Sequence, residues 1–300
     1  MIALVGELAA LGTALCWAFT SIWFAAASRR VGALPVNFVR MPIALVYLAL
    51  WGLFTRGHAL PFDASAHAWT WLTASALAGF AFGDLCLFRA FVLIGPRLGS
   101  LVMASAPPIT ALLGWLALGE QLDARQLAGM AATTAGIAIA IRERRAQDAQ
   151  DGLRDRGALT RGVVLALGGA LGQASGLVLA KHGMGDYDPF AATQIRVIVG
   201  LGAFAVMVTA ARAWPAVGAA IRDRRALGLA SLGATFGPFL GVALSLLAAQ
   251  NTATGVAASL MAVQPLLVIP LAVWLHGERV GKGALVGAAL AVLGVALLVQ

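Results

Sequence analysis

Charged residues are scarce in this chain. Only 11% of its 300 residues are Asp, Glu, Lys or Arg, whereas 60% are hydrophobic. Because so few charges cannot solvate the surface of a globular protein of this size, the composition excludes an ordinary soluble domain. The hydrophobic residues lie in stretches of about 20, the length at which a helix crosses the hydrocarbon core of a bilayer. The alternation of polar and apolar residues that barrel strands require is absent, so helices are expected.

Cysteine, histidine and catalytic motifs are also sparse. The two cysteines, Cys16 and Cys86, lie in apolar segments and can form neither a disulfide framework nor a metal site. All four histidines lie in or beside predicted loops, and no HExxH, GxSxG or paired-Asp motif is present. An intramembrane enzyme is therefore disfavoured, and no cofactor or metal is expected. A receptor or scaffold is disfavoured as well, because no signalling or docking domain is recognisable.

The apolar stretches predict ten transmembrane helices, separated by short breaks that contain Arg, Gly or Pro. The predicted spans are 3–27, 35–54, 68–92, 98–118, 124–141, 161–181, 190–211, 226–248, 253–275 and 281–299. A polar, basic linker, 142–160, separates a first half, 1–141, from a second half, 161–300.

The two halves are related by an internal duplication. The run Leu11-Gly12-x-Ala14-Leu15 recurs as Leu167-Gly168-x-Ala170-Leu171, at an offset of 156. A second block, from Pro107 through Gly119-Glu120, recurs from Pro265 through Gly277-Glu278 at an offset of 158. Each half has five spans, an odd number, so the second half is expected to enter the membrane in the opposite sense. The predicted fold is therefore all-α and integral to the membrane, with ten transmembrane helices in two inverted-topology five-helix repeats that permit alternating access.

Basic residues are distributed unevenly between the predicted loops. Loops after odd-numbered spans hold fifteen of the 21 Lys and Arg residues, and loops after even-numbered spans hold three. The positive-inside rule therefore predicts that the odd-numbered loops are cytoplasmic and that both termini are outside. Contact with anionic lipid headgroups is the expected consequence of the net charge of +8. Nucleic-acid binding is not expected, because the basic residues are scattered along short loops.

The duplicated blocks resemble the drug/metabolite transporter superfamily, specifically carriers built from two EamA-type domains. The resemblance covers essentially the whole chain, including an arginine early in the second span of each half, Arg40 and Arg196. It implies secondary transport across the bacterial inner membrane without ATP hydrolysis, commonly export of amino acids and other metabolites. Within the superfamily the chain is similar to bacterial amino-acid exporters, including the aromatic amino-acid branch.

Three of the charged residues inside predicted spans are candidates for a functional role. Arg40 and Arg196 lie one to two turns inside, where a charge is costly unless it pairs or faces water. The inverted relation predicts one arginine near each mouth of a central pathway, as a gate or a carboxylate site; capping of backbone carbonyls at neighbouring helix ends is the alternative. Asp84 is a candidate carrier of a coupling proton, but hydrogen bonding to helix ends or to Arg89 explains it equally well.

Aromatic and amide side chains near the middle of the spans are candidates for a substrate site. An apolar pocket with a few polar groups is how proteins hold small organic molecules, and aromatic faces suit an aromatic ring or an organic cation. Lipid contact or helix packing is the alternative for the aromatic residues. The predicted substrate-binding residues, besides Asp84, are Trp17, Phe80, Phe88, Ser105, Gln173, Phe236 and Gln264.

Proline and glycine suggest where helices bend and pack. Pro107 and Pro265 are predicted hinges, because proline removes an intrahelical hydrogen bond; static kinks are the alternative. Glycines seven residues apart mark one face of spans 5 and 10, for packing within a repeat or for dimerisation: Gly129, Gly136, Gly287 and Gly294. The protein is expected to be a monomer or a homodimer.

The substrate class stays open at this point. Export of amino acids or related metabolites is favoured, and efflux of cationic drugs or movement of nucleotide sugars or phosphorylated metabolites are the rivals. Phosphorylated substrates normally require several Arg or Lys side chains in the cavity, and the spans contain few.

Overall fold

The computed structural model describes residues 2–118, 124–150, 156–252, 254–264, 267–268, 271 and 282–297. All regular secondary structure in these residues is helical. The helices are α1 (Ile2–Val31), α2 (Ala33–Arg56), α3 (Ala66–Ala76), α4 (Leu85–Met103), α5 (Ala106–Leu118), α6 (Ala124–Gln150), α7 (Arg156–Met184), α8 (Pro189–Ala210), α9 (Trp214–Arg222), α10 (Arg224–Ala234), α11 (Val242–Asn251), α12 (Thr254–Met261) and α13 (Lys282–Leu297). Two π-helical segments, Leu77–Asp84 and Thr235–Gly241, join α3 to α4 and α10 to α11.

Six helical stretches are long and apolar enough to cross a membrane. They are Leu4–Val31, Ala33–Arg56, Ala66–Met103, Gly157–Met184, Pro189–Ala210 and Arg224–Asn251. These stretches correspond to predicted spans 1, 2, 3, 6, 7 and 8, and the third of them continues into predicted span 4. Shorter apolar helices, Leu127–Ile139 and Leu285–Gly294, lie within predicted spans 5 and 10. The protein is therefore helical with several membrane-length segments, and the count of ten spans stays a prediction.

Predicted span 98–118 is divided rather than continuous. The chain bends at Gly95, whose φ of 76° is a conformation that glycine adopts readily, and Pro96 follows. It breaks again after Met103, where the backbone N–H groups of Ala104 and Ser105 donate to carbonyls only three residues earlier. Pro107 and Pro108 explain this second break, because neither can donate the hydrogen bond that would continue the helix.

The predicted linker between the halves is largely helical. α6 continues to Gln150 and α7 begins at Arg156, so helix covers much of segment 142–160. The sequence from Arg142 to Gln150 is rich in Arg, Glu, Gln and Ala, which have high helix propensity. Polarity in this segment therefore marks the end of the apolar part of α6 but not the end of the helix.

The two halves pack against each other reciprocally. α1 packs on α10, α11 and the π-helical segment between them, and its counterpart α7 packs on α3, α4 and the π-helical segment between those. α2 packs on its counterpart α8, α5 on α12, and α6 on α13. These contacts between the halves therefore recur with the roles of the halves exchanged.

Glycines permit the closest of these crossings. A Cβ on Gly172 of α7 would lie 2.5 Å from the Cα of Gly83 in the first π-helical segment. In the α6–α13 contact, a Cβ on Gly136 would lie 2.5 Å from the carbonyl oxygen of Gly287, and one on Gly294 would lie 2.6 Å from that of Gly129. The glycine faces of predicted spans 5 and 10 thus pack against each other within one chain.

Candidate functional site

A cavity of about 730 Å³, open solvent included, lies between the two halves. Helices of both halves line it, with the π-helical segments at its walls. Its lining residues are Trp17, Thr20, Ser21, Phe24, Arg40, Phe80, Asp84, Leu87, Phe88, Phe91, Met103, Gln173, Leu177, Arg196, Gly237, Pro238, Val242, Ser245 and Gln264. We call this space the charged lobe.

Equivalent positions of the two halves face the charged lobe together. At the offset of 156, Trp17 corresponds to Gln173, Ser21 to Leu177 and Arg40 to Arg196; at an offset of 154, Asp84 corresponds to Pro238, Phe88 to Val242 and Phe91 to Ser245. Residues that the duplication relates therefore line the same cavity.

Arg40 enters the charged lobe from α2 and forms an ion pair with Asp84. Its side chain is 4% exposed and that of Asp84 16%. The guanidinium carbon also lies 5.2, 5.7 and 4.7 Å from the ring centroids of Phe24, Phe80 and Phe88. Aromatic faces attract a cation, so this arginine is held by both a carboxylate and aromatic rings.

Arg196 enters the same lobe from α8. Its guanidinium carbon lies 4.9 Å from the ring centroid of Phe80, so both arginines contact that ring. Gly79 leaves room for the guanidinium, because a Cβ there would lie 2.9 Å from Nη2 of Arg196. Asp84 interacts with Arg196 electrostatically but forms its hydrogen bond to Arg40.

Both arginines border one cavity, and their position near the two mouths of a pathway stays a prediction. The suggested pairing of Asp84 with Arg89 is wrong. Arg89 is exposed, and Arg40 from the neighbouring helix takes its place.

Amide side chains connect the charged lobe to a second space. Gln264 donates to the carbonyl oxygen of Trp17 at 3.2 Å and to Oγ of Ser100 at 3.4 Å. Beyond this contact lies a space of about 450 Å³, which we call the apolar lobe. Its lining residues are Trp17, Ser100, Met103, Ala104, Ala106, Pro107, Thr110, Gln173, Ala174, Leu177, Ala258, Met261, Ala262 and Gln264. None of these carries a charge.

The structure brings together six of the eight predicted substrate-binding residues. Trp17, Phe80, Asp84, Phe88, Gln173 and Gln264 all line the charged lobe. Phe236 instead packs against the rings of Phe19 and Trp23, with centroids 6.4 and 5.5 Å away. The hydroxyl of Ser105 donates to the carbonyl oxygen of Val102 at 2.7 Å, and Ser105 lines neither lobe.

Only one of the two predicted hinges lies among the described residues. Pro107 lies buried in the first turn of α5 and borders the apolar lobe, and its role as a hinge stays a prediction. Pro265 lies outside the described residues.

Sequence reasoning missed both π-helical segments and several lining residues. π-Helical turns occur often at functional sites, but no simple residue pattern specifies them. Phe24 was missed because, unlike Phe80 and Phe88, it does not flank a charged residue within a span. Val242 could have been found, since it is the counterpart of the predicted Phe88 at the offset of 154.

Polar contacts join the halves at both ends of the bundle: an ion pair at one end and hydrogen bonds of Tyr187 at the other. At one end Arg30 donates to Asp223 at 2.8 Å. The backbone N–H of Ala226 and the Arg30 guanidinium hold the pKa of Asp223 below its usual value. At the other end Asp63 accepts from Arg56 and, at 3.0 Å, from the hydroxyl of Tyr187.

Arg56 and Tyr187 also affect the pKa of Asp63, which lies in the loop between α2 and α3. Desolvation opposes ionisation of Asp63, but the hydrogen bonds from Arg56 and Tyr187 outweigh it, so the pKa of Asp63 is lowered. Gln250 donates to the carbonyl oxygens of Gly185 and Tyr187, at 2.9 and 3.1 Å. These bonds fix the loop between α7 and α8, which carries Tyr187. Within the described residues no group of three His, Cys, Asp or Glu side chains could hold a metal ion.

Comparison with known proteins gives similar solved structures and a matching family. Seventeen chains of solved structures match. One of them, described simply as the crystal structure of a protein, has a TM-score of 0.63 and 16% sequence identity, over 97% of this chain and 94% of its own. At that identity the likeness shows the fold alone. No curated protein sequence matches significantly. The EamA-like transporter family matches residues 4–142 and again residues 160–300, so the chain belongs to that family.

Proposed function

We propose that the protein is a secondary transporter that exports amino acids, aromatic ones included, or related small metabolites by alternating access. The observation that supports this most strongly is the charged lobe itself. Symmetry-related residues of both halves line one cavity, which combines two arginines, one carboxylate, amide groups and aromatic rings. Such a mixture suits a small molecule with a charged head and an apolar body.

The proposal includes ten spans in two inverted repeats. Reciprocal packing of α1 on α10 and α11, and of α7 on α3 and α4, supports it, because exchange of roles between repeats would open the cavity to the opposite side. Spans 4 and 9 would then be the broken helices, consistent with the interruption at Ala104 and Ser105.

The proposed location is the bacterial inner membrane, with the odd-numbered loops in the cytoplasm. Arg29 and Arg30 lie at the end of α1, and Arg222, Arg224 and Arg225 lie between α9 and α10. The Arg30–Asp223 ion pair brings these two loops to one end of the bundle. An excess of basic residues at one end is what the positive-inside rule associates with the cytoplasm.

Charge in the charged lobe favours amino acids over the rival substrates. The ionisable lining residues within the described chain are Arg40, Arg196 and Asp84, which together leave one positive charge. A cationic drug would meet electrostatic repulsion there. A nucleotide sugar or phosphorylated metabolite carries more negative charge than a single uncompensated guanidinium balances.

A transport assay tests the proposal. Purified protein in proteoliposomes is given a panel of amino acids, one lipophilic cation and one nucleotide sugar, with and without a pH gradient. We expect saturable flux of at least one amino acid, reduced at least about tenfold by Trp17→Ala or Gln264→Ala. Phe236→Ala is the matched control, because that ring lies outside both lobes. Flux of the cation or the nucleotide sugar without flux of any amino acid overturns the proposal.

A further inference from the structure

Arg196 is a buried cation without a counter-charge of its own. The residue is 5% exposed and borders the charged lobe. The Nε atoms of Arg196 and Arg40 both lack a hydrogen-bond partner, but of the two only Arg40 forms an ion pair within the described chain. A guanidinium buried in a membrane protein without a partner is costly, so such groups usually face a ligand or water.

Arg40 differs from Arg196 although the two occupy equivalent positions. Arg40 is paired with Asp84 and contacts three aromatic rings. The position equivalent to Asp84 in the second half is Pro238, so Arg196 lacks the carboxylate that its counterpart has. Both halves therefore supply an arginine at this position, but only the first half supplies the carboxylate.

We propose that Arg196 is the residue that binds the substrate carboxylate, and that the Arg40–Asp84 pair is a neutral part of the wall. This inference rests on the proposed function and specifies how its site selects a substrate. A planar guanidinium matches a carboxylate with two parallel hydrogen bonds, and the Phe80 ring beneath it keeps the group oriented. The single uncompensated charge fits one carboxylate but not two.

The apolar lobe indicates what the rest of the substrate is. Trp17, Gln173 and Gln264 line both lobes, so a ligand bound at Arg196 can extend past them. The apolar lobe is lined by Met103, Met261 and several alanines, and none of its lining residues among those described is charged. The substrate class is therefore a monocarboxylate with an apolar or aromatic side chain.

Ligand binding to purified protein tests this without requiring transport. The probes are phenylalanine, 3-phenylpropionate, phenylalaninamide and phenethylamine, measured by the shift in melting temperature and by quenching of tryptophan fluorescence. We expect the two carboxylates to bind at least about tenfold more tightly than the amide and the amine. Phenylalanine and 3-phenylpropionate share the carboxylate, so the difference between them shows whether the amino group contributes as well.

Two variants distinguish Arg196 from its counterpart. Arg196→Gln should abolish the preference for carboxylates, and Arg196→Lys should restore part of it. The double variant Arg40→Gln/Asp84→Asn is the matched control, because it removes the neutral pair, leaves the net charge of the lining unchanged and should keep the preference. Arg196→Gln removes an unpaired buried charge, so its melting temperature without ligand should equal or exceed that of the wild type; a purely structural arginine would show a decrease.

The outcomes separate the inference from the proposed function. Equal binding of phenylalanine and phenylalaninamide, or an unchanged preference in Arg196→Gln, overturns the role of Arg196 even where amino acids are transported. Absence of binding by all four probes also overturns it. Carboxylate binding that depends on Arg196, without flux of any amino acid in proteoliposomes, supports the inference and overturns the proposed function.

Discussion

Arg40 and Asp84 form an ion pair that joins the second span to the first π-helical segment, and the second half of the chain has no counterpart to it. Pro238 occupies the position equivalent to Asp84 and lines the same cavity. One substitution between the repeats thus turns two equivalent arginines into a paired one and an unpaired one. The side of the cavity at Arg40 is therefore neutral, whereas the side at Arg196 carries a positive charge.

Asp84→Asn should destabilise the protein. Removal of the carboxylate leaves the buried Arg40 without its counter-charge, and breaking a buried ion pair in this way costs ~3 kcal/mol. Chemical unfolding in mixed micelles measures the loss. Arg40→Gln/Asp84→Asn should recover much of it, because no charge is then left unpaired. A single variant as stable as the wild type would contradict the importance of this pair.

Phe80→Leu should lower stability by more than the loss of packing explains. The Phe80 ring contacts both Arg40 and Arg196, and each cation–π contact contributes about 1 kcal/mol. Phe204→Leu is the control, because that ring is fully buried and contacts neither arginine. Unfolding experiments should show a cost at least about 1 kcal/mol larger for Phe80→Leu; equal costs would indicate that the ring contributes only apolar packing.

Gly172→Ala should disrupt the crossing between α7 and the first π-helical segment. The added Cβ would lie 2.5 Å from the Cα of Gly83 and 2.6 Å from the carbonyl oxygen of Ala78, so the backbones must separate. Overpacking of this kind costs about 1–3 kcal/mol. The melting temperature in detergent and the transport rate should both fall.

Gly202→Ala is the matched control for this crossing. Gly202 lies in α8, and a Cβ there would meet nothing within 4 Å. Alanine favours helix over glycine, so stability should stay equal or rise by up to about 1 kcal/mol. If Gly172→Ala and Gly202→Ala have similar effects, α7 and the first π-helical segment can move apart without loss of stability.

The sequence predicts the membrane helices and much of the lining of the charged lobe because the duplication restricts both. Arg40 and Arg196, like Trp17 and Gln173, recur at one offset, and both members of each pair line the charged lobe. Composition and offset are properties of the chain itself. They require no knowledge of how one helix is rotated against another.

Other features depend on that rotation and could not be predicted. Asp84 pairs with Arg40 across two helices, whereas spacing along one helix pointed to Arg89. The π-helical segments alter which side chains face inward, and their stability comes from tertiary contacts such as that between Gly83 and Gly172. Phe236 was assigned to the substrate site because it precedes a matched glycine, yet its ring points to Phe19 and Trp23.

Acidification should weaken the contact between the halves at Arg30 and Asp223. Asp223 accepts from the backbone N–H groups of Arg225 and Ala226 at the start of α10, as well as from Arg30. These donors stabilise the carboxylate, so its pKa in the folded protein is below the ordinary value of 3.8. The stabilisation is therefore complete above that value and is lost as the pH falls through the lowered one.

Asp223→Asn isolates this effect, because asparagine still caps α10 but carries no titrating charge. Thermal unfolding between about pH 5 and about pH 3 should show a smaller loss of stability in the variant than in the wild type. Arg30→Gln should fall between them, since the capping N–H groups still lower the pKa of Asp223 after the guanidinium is gone. Identical pH profiles for all three proteins would mean that the Arg30–Asp223 contact does not stabilise the folded protein.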